Sequence, residues 1–463
     1  METTYKGLKR NGILNALTLI IVFSLLFQVT SCKKYLDEKP SKNLVVPSTV
    51  ADLQALLNNN SSINNGMTPR LLALVSDDNY VTTTTWLSES SIETTEPLNY
   101  IWDKNATDLV GSWEAAYDGP IYYSNIVLDA LPNIASNNGN LSTLNAIKGS
   151  ALFYRAFAFQ ALAQLYCKPY NTTSKADPGI VLKLTSDINE KIVRATVQQT
   201  YDQIINDLNQ AVTLLPSKST FPTQPTVGAV YGLLARVYLS MRDYSNAGKY
   251  ANLSLQQNSA LMDFNSVISI PQFNVETTYF DMVYESILAY PSHGGLVDSN
   301  LYRSYDSNDL RKSVFFKAAS GGAFAFRGSY YGFRLGLPFD GIATDEMYLT
   351  RAECYARAGD VADAMADLNT LLKTRWKTGT FVPFAATNAD DAKSQILTER
   401  RKELVYRGLR WYDLRRLNLE GANITLTRVI NGTTYTLPPN DLRYVMLIPF
   451  EVINASGIQQ NPR

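Results

Sequence analysis

Apolar residues recur at three- and four-residue steps in several windows of this chain, and stretches with no period separate those windows. Residues 49–57 read as a short helix and 58–65 as an Asn- and Ser-rich loop. Residues 71–100 are polar and Thr-rich, without an apolar period. Trp113, Ala116, Tyr117, Ile121, Ser124, Asn125 and Leu128 put one face on a helix over 112–131. Within that face Asn125 is expected as a core amide bonded to a nearby backbone. Residues 148–166 are apolar on most sides, the mark of a helix at the centre of a core. Arg155 inside it needs a buried partner, expected from the acids near the C-terminus. A further helix over 200–215 is stopped by Pro216. Residues 256–340 mix aromatics with Gly and Ser and read as loops, short strands and short helices, while 444–449 read as extended. The fold class is mainly α.

Two windows share one spacing. Leu234, Ala235, Tyr238, Ala247 and Ala251 fall at the intervals of a tetratricopeptide repeat, with Asp243-Tyr244 in the turn. Ala352, Tyr355, Ala364 and Leu368 repeat the pattern, with Gly359-Asp360 in the turn and Tyr348 one helical turn earlier. Ile204, Leu208, Ala211 and Pro216 resemble the second helix of another unit. Its first helix would be 148–166, with 167–197 inserted between. The expected architecture is a tetratricopeptide-repeat helical scaffold with a few short strands and a loop-rich ligand-binding face built from residues 50–110 and 256–340.

Residues 397–418 crowd six arginines, two glutamates, an aspartate, a tryptophan and two tyrosines around Gly408. Glu399 and Glu403 lie four apart, as do Glu403 and Arg407, so each pair shares a helix face. Gly408 allows a break between two helices. Guanidinium groups match carboxylates with two parallel hydrogen bonds. Glu399, Arg400, Glu403, Arg410, Trp411 and Asp413 therefore read as a partly buried structural network and not as a catalytic constellation. The stretch resembles the ERR-x-EL-x-x-x-G-x-R-x-x-DL-x-R signature of the SusD/RagB family, outer-membrane nutrient-binding lipoproteins of Bacteroidetes. The match runs through Glu399, Arg400, Arg401, Glu403, Leu404, Gly408, Arg410, Trp411, Asp413, Leu414 and Arg416. Arg407 stands where the family more often has an acid. Residues 447–462 resemble the family's closing IP-x-x-E…NP…QNP-G-Y, with one residue between Pro449 and Glu451, Ala455 after Asn454, and Arg463 in place of the last glycine.

At the other end, Lys6, Lys9 and Arg10 precede an uncharged apolar run over 13–29 and then Val29-Thr30-Ser31-Cys32. Such a run suits a secretory signal or a membrane anchor. The last four residues resemble a bacterial lipoprotein box, which implies cleavage before Cys32 and a lipid on its sulfur. Cys32, Leu36 and Asp37 also resemble the family's opening. The expected division is a lipoprotein signal peptide over 1–31, a SusD-like N-terminal region with helical repeats over 32–255, and a C-terminal region over 256–463 holding the loop-rich insertion and a further repeat.

Charge narrows the partners. With 42 basic and 42 acidic residues and no long basic tract, nucleic acid is not expected. Cys167 and Cys354 are expected as free, buried thiols. His293 is the only histidine, and no triad or His-rich zinc site can be assembled around it. Asp77-Asp78 and the Asp306–Asp309 loop offer oxygens to calcium but complete no binding pattern, so solvated loop acids are expected there. No catalytic residue, metal or cofactor is expected.

The resemblance implies capture of a glycan at the cell surface and its delivery to a SusC-like TonB-dependent outer-membrane transporter, from a lipid-anchored position on the outer membrane facing outside. Alternatives are a RagB-like peptide-binding lipoprotein, a surface glycoside hydrolase working through paired carboxylates, and a repeat-scaffold adaptor. The candidate ligand-binding residues are Tyr80, Trp86, Tyr290, Tyr302, Tyr305 and Tyr331, because rings stack on the C–H faces of sugars and their polar tips meet hydroxyls. About half of them are expected to pack the loops onto the scaffold instead.

Overall fold

Three helical hairpins stack along the chain: Leu141–Tyr166 with Val197–Leu214, Val227–Met241 with Tyr244–Gln257, and Thr344–Arg357 with Val361–Lys373. They lie where the repeat spacing placed them. The structure is a computed structural model and describes residues 47–65, 67–91, 95–107, 111–137, 139–283, 288–332 and 338–463. Cys32 and the expected signal peptide lie outside the described residues. Each hairpin packs on the next, as repeat units must to bury their second face. Asp243 and Asp360 cap the second helices of two hairpins, accepting from the backbone N–H of Asn246 and Asp363. Small residues set the crossings: a Cβ at Gly248 would come within 2.9 Å of Cys354 Cβ. Cys354 and Cys167 are free and buried, and burial pushes each thiol up to about 12.

Residues between Gln257 and Thr344 leave the stack and return, since the helices on either side of them pack together. The described strands form five antiparallel pairs. Among them, Asn79–Tyr80 pairs with Leu296–Val297, Pro178–Val181 with Arg194–Thr196, and Thr277–Tyr279 with Ile342–Ala343. Leu426–Ile430 and Thr433–Leu437 form a hairpin turned by Asn431-Gly432, both at positive φ. The run expected as extended over 444–449 starts one residue late: Leu442–Tyr444 is a 3-10 turn and the chain is extended from Val445, with the Met446 N–H donating to Leu165 O at 2.7 Å. Among the described residues no helix is long and apolar enough to cross a membrane.

Three local expectations change. The central helix begins at Leu141, seven residues early, because Leu144 and Ile147 continue its buried face. The Thr-rich stretch is not irregular but holds the helices Leu71–Leu74, Thr83–Ser90 and Thr95–Tyr100. The 112–131 helix is interrupted: Ser112–Ala116 and Tyr122–Ala130 flank a widened turn in which Pro120 lacks an N–H and Gly119 leaves helical geometry (φ −96°, ψ −107°).

The arginine-rich stretch is two helices, Ala389–Glu403 and Arg410–Leu419, broken by Tyr406 (φ 59°) and Gly408 (φ 69°). Glu403 and Arg407 therefore do not share a helix face. Glu403 accepts from Arg375 (2.8 Å) and Arg311 (3.0 Å), while Arg407 reaches Asp345 (3.1 Å). Arg311 also grips Asp309 and Glu399, and Arg375 donates twice to Glu276. Asp413 takes Arg400 and Arg416, both at 2.9 Å, and Arg416 forks onto Glu353. Arg410 forks onto Asp77 (2.7 and 2.9 Å), with Arg401 on Asp78 (3.2 Å). Asp77, Asp78 and Asp309 are thus ion-paired and not solvated loop acids. Trp411 is fully buried and stacks on Tyr444 with centroids 4.7 Å apart. Arg155 pairs with Asp207 of its own hairpin (2.8 and 2.9 Å), not with the C-terminal acids.

Candidate ligand-binding site

The break at Gly119-Pro120 shapes the surface around it. A Cβ on Gly119 would lie 2.5 Å from Ser62 O, so only glycine lets the Asn- and Ser-rich loop lie against the widened turn. Between them opens a cleft of about 660 Å³. Ser61, Ser62, Asn65, Thr68 and Arg70 line one side and Ser112, Glu114, Asp118 and Tyr123 the other, with Val283 between. Arg70 is buried and lies 3.6 Å from Glu96, and the Thr68 hydroxyl donates to buried Asp281 (3.1 Å). Hydroxyls, an amide and carboxylates converge beside a single aromatic face. That is the lining a polyhydroxylated ligand needs.

A second cleft of about 650 Å³ runs along the other flank of the same helix. Its walls are mostly apolar: Tyr117, Ile121, Tyr122, Val181, Ile188, Ile192 and Val452. The Tyr117 hydroxyl donates to Val181 O (2.6 Å), and Trp113 packs at 4.8 Å from the Tyr117 ring, so that ring is fixed from both ends. Burial raises the Tyr117 hydroxyl well above its ordinary value, leaving it a neutral donor. Asn125 donates to the carbonyls of Lys183 and Thr185 (3.0 and 3.1 Å) and accepts from Arg155 (2.9 Å), the core amide its sequence position suggests. These bonds tie the 183–185 rim to the helix. Asp129 holds the rest of that rim by accepting from the backbone and hydroxyl of Ser186, both at 2.7 Å.

None of the six candidate aromatics lines either cleft. Tyr290 and Tyr305 are 1% and 2% exposed, so neither offers a face to a ligand; Tyr305 donates to Lys402 O (2.7 Å) and joins the core. Tyr302 is half-buried and stacked on Phe324 at 3.6 Å, with Lys312 above it. Tyr331 is half-buried against Phe280 (6.2 Å). Tyr80 is half-buried opposite Leu296. Trp86 is half-buried on its short helix, and its indole N–H donates to Pro97 O (3.1 Å). Replacing Trp86 with alanine is expected to cost about 2 kcal/mol of stability, from lost packing and one lost hydrogen bond, read as a lower Tm. Glu114, Asp118, Tyr122 and Tyr123 were not singled out from the sequence. The signal for them was Gly119-Pro120 inside an apolar period, followed after Ile121 by two tyrosines.

Known families account for most of the chain. Residues 34–239 match a family model described as "Starch-binding associating with outer membrane", and residues 298–462 match the model of the SusD family. The chain belongs to the SusD/RagB family. It is 21% identical over 357 residues to SusD-like protein P2 of Formosa agariphila, covering 63% of this chain and 68% of that relative. A SusD superfamily crystal structure from Bacteroides thetaiotaomicron aligns over 90% of this chain and 100% of that one, with TM-score 0.72 and 23% identity. A laminarin-binding SusD-like protein aligns over 89% and 98% (TM-score 0.65, 18% identity). The surface glycan-binding protein A of Bacteroides fluxus aligns over 90% and 100% (TM-score 0.70, 18% identity). At these identities the structural likeness is one of fold.

Proposed function

We propose that this protein is a cell-surface lipoprotein, anchored through Cys32, that captures a glycan and delivers it to a SusC-like TonB-dependent transporter. Family membership supports the general reading, and two structural relatives carry glycan binding in their names. The observation that carries it to a place on this chain is the polar cleft. Its lining combines acceptors and hydroxyls with one aromatic residue, Tyr123, the pairing of flat face and polar groups that suits a pyranose. Binding energy concentrates in such aromatic anchors. Calorimetric titration of the purified protein with a glycan panel is expected to find a ligand whose affinity falls about tenfold in Tyr123→Ala, equivalent to about 1.4 kcal/mol, with only the small fall in Tm that a partly buried ring entails. Unchanged affinity in that variant would place the ligand elsewhere on the surface.

A further inference from the structure

The two clefts differ in chemistry yet meet at Glu114, Asp118 and Tyr123, which line both. A ligand seated in one reaches the other across the same helix. Their charges restrict what that ligand is. The acids in the walls are Glu114, Asp118 and Glu451, and the cations are Arg70 and Lys183. Each cation already faces an acid, Glu96 at 3.6 Å and Glu190 at 3.2 Å. A ligand carboxylate or sulfate would enter against Asp118 and Glu451 and find both cations engaged, whereas sugar hydroxyls would find acceptors.

The second cleft adds a different demand. Ile188 is 80% exposed and Ile192 is also exposed, and both line the cleft together with Tyr117 and Tyr122. Tyr117 and Tyr122 could stack on plain sugar, but the branched aliphatic side chains of Ile188 and Ile192 offer no flat ring face and no polar tip for its hydroxyls. An apolar group carried by the sugar would cover them.

We propose that the ligand is an uncharged oligosaccharide bearing an apolar acyl or aryl group, with the sugar in the polar cleft beside Tyr123 and the apolar group against Tyr117, Tyr122, Ile188 and Ile192. This deepens, and rests on, the glycan reading above. The continuity of the two clefts and the acid-rich lining select this occupant over an anionic glycan.

The test uses matched probes. Gluco-, xylo- and manno-oligosaccharides are titrated into the full chain, each free and as its p-nitrophenyl glycoside, beside oligosaccharides of alginate and chondroitin sulfate. The aryl form is expected to bind at least about tenfold tighter than its free partner, a gain that burying roughly 55 Å² of apolar surface supplies. Ile188→Asp combined with Ile192→Asp changes two solvent-facing positions, so the fold is retained. That variant is expected to erase the aryl advantage and leave the affinity for the free sugar unaltered. Equal affinity for the matched partners, an aryl advantage that survives in the variant, or preference for the anionic oligosaccharides would overturn the proposal. Capture of a lysine-rich peptide with no oligosaccharide bound, or no binding at all, would overturn the glycan reading itself.

Discussion

Arg375→Ala is expected to lose roughly 3–5 kcal/mol of stability, the cost of breaking a buried ion pair from one side. The Arg375 side chain is fully buried. It donates to Glu403 (2.8 Å), to both oxygens of Glu276 (2.8 and 3.0 Å) and to Met262 O (2.7 Å), and lies 4.2 Å from the centre of the Phe264 ring. Removing it strands Glu276 more than Glu403, because Glu403 keeps Arg311. Burial already holds the Glu276 carboxyl at about 7 with Arg375 in place. Adding Glu276→Gln to Arg375→Ala is therefore expected to recover part of the loss, since it takes away the stranded charge. Urea unfolding of the two single variants and the double variant measures this. A loss below about 1 kcal/mol in Arg375→Ala would mean that the network is solvated and adds no more than surface pairs do.

Asp340→Asn is expected to do the opposite at neutral and alkaline pH. Met282 pairs with Phe339 in an antiparallel bridge, and the Asp340 N–H donates to Asp281 O (3.1 Å), so Asp281 and Asp340 stand directly opposite. Like charges so placed repel. Both are buried, and one oxygen of each lacks a hydrogen-bond partner. Around Asp340 lie the positive charges of Arg236 and Arg407, which draw its carboxyl down, while burial pushes it up to about 7. Burial and the facing Asp340 also raise Asp281. The folded state thus holds the Asp340 proton more tightly than the unfolded chain does. The stability contributed by the neutral form is present below the ordinary carboxylate value and is lost as pH rises through about 7. A shift of this size is worth roughly 4 kcal/mol. The advantage of Asp340→Asn over the parent is expected to grow from near zero at pH 4 to most of that by pH 8. A pH-independent difference would show that the carboxylate is charged throughout.

The parts of this architecture that were legible in the sequence are those built from local repetition. Ala235, Ala247, Ala352 and Ala364 mark close helix crossings, and Asp243 and Asp360 mark the caps after the turns, so the hairpins announce themselves within some thirty residues each. The 397–418 stretch was legible as a network because its arginines have no other use for such crowding. Its partners were not. Asp77, Asp309 and Glu276 come from segments without a period, and nothing local links Asp77 to Arg410. Tyr290 and Tyr305 were misjudged for the same reason. Tyr290 and Tyr305 sit in an irregular segment that folds around its own rings, among them Phe316 at 5.3 Å from Tyr305, and such packing leaves no period to read. The candidate site around Tyr123 was hidden by an apolar period that continues through a helix break.

The pairing of Arg410 and Arg401 with Asp77 and Asp78 also has a meaning in time. Synthesis delivers the acids early and the arginines some 320 to 333 positions later. Until then the early segment would have to bury Asp78, 3% exposed in the finished fold, without its counterion. Domains otherwise tend to fold from the N-terminus as they emerge. The segment around Asp77 and Asp78 is therefore expected to set only once the helices that carry Arg401 and Arg410, in the last seventh of the polypeptide, have arrived as its clasp.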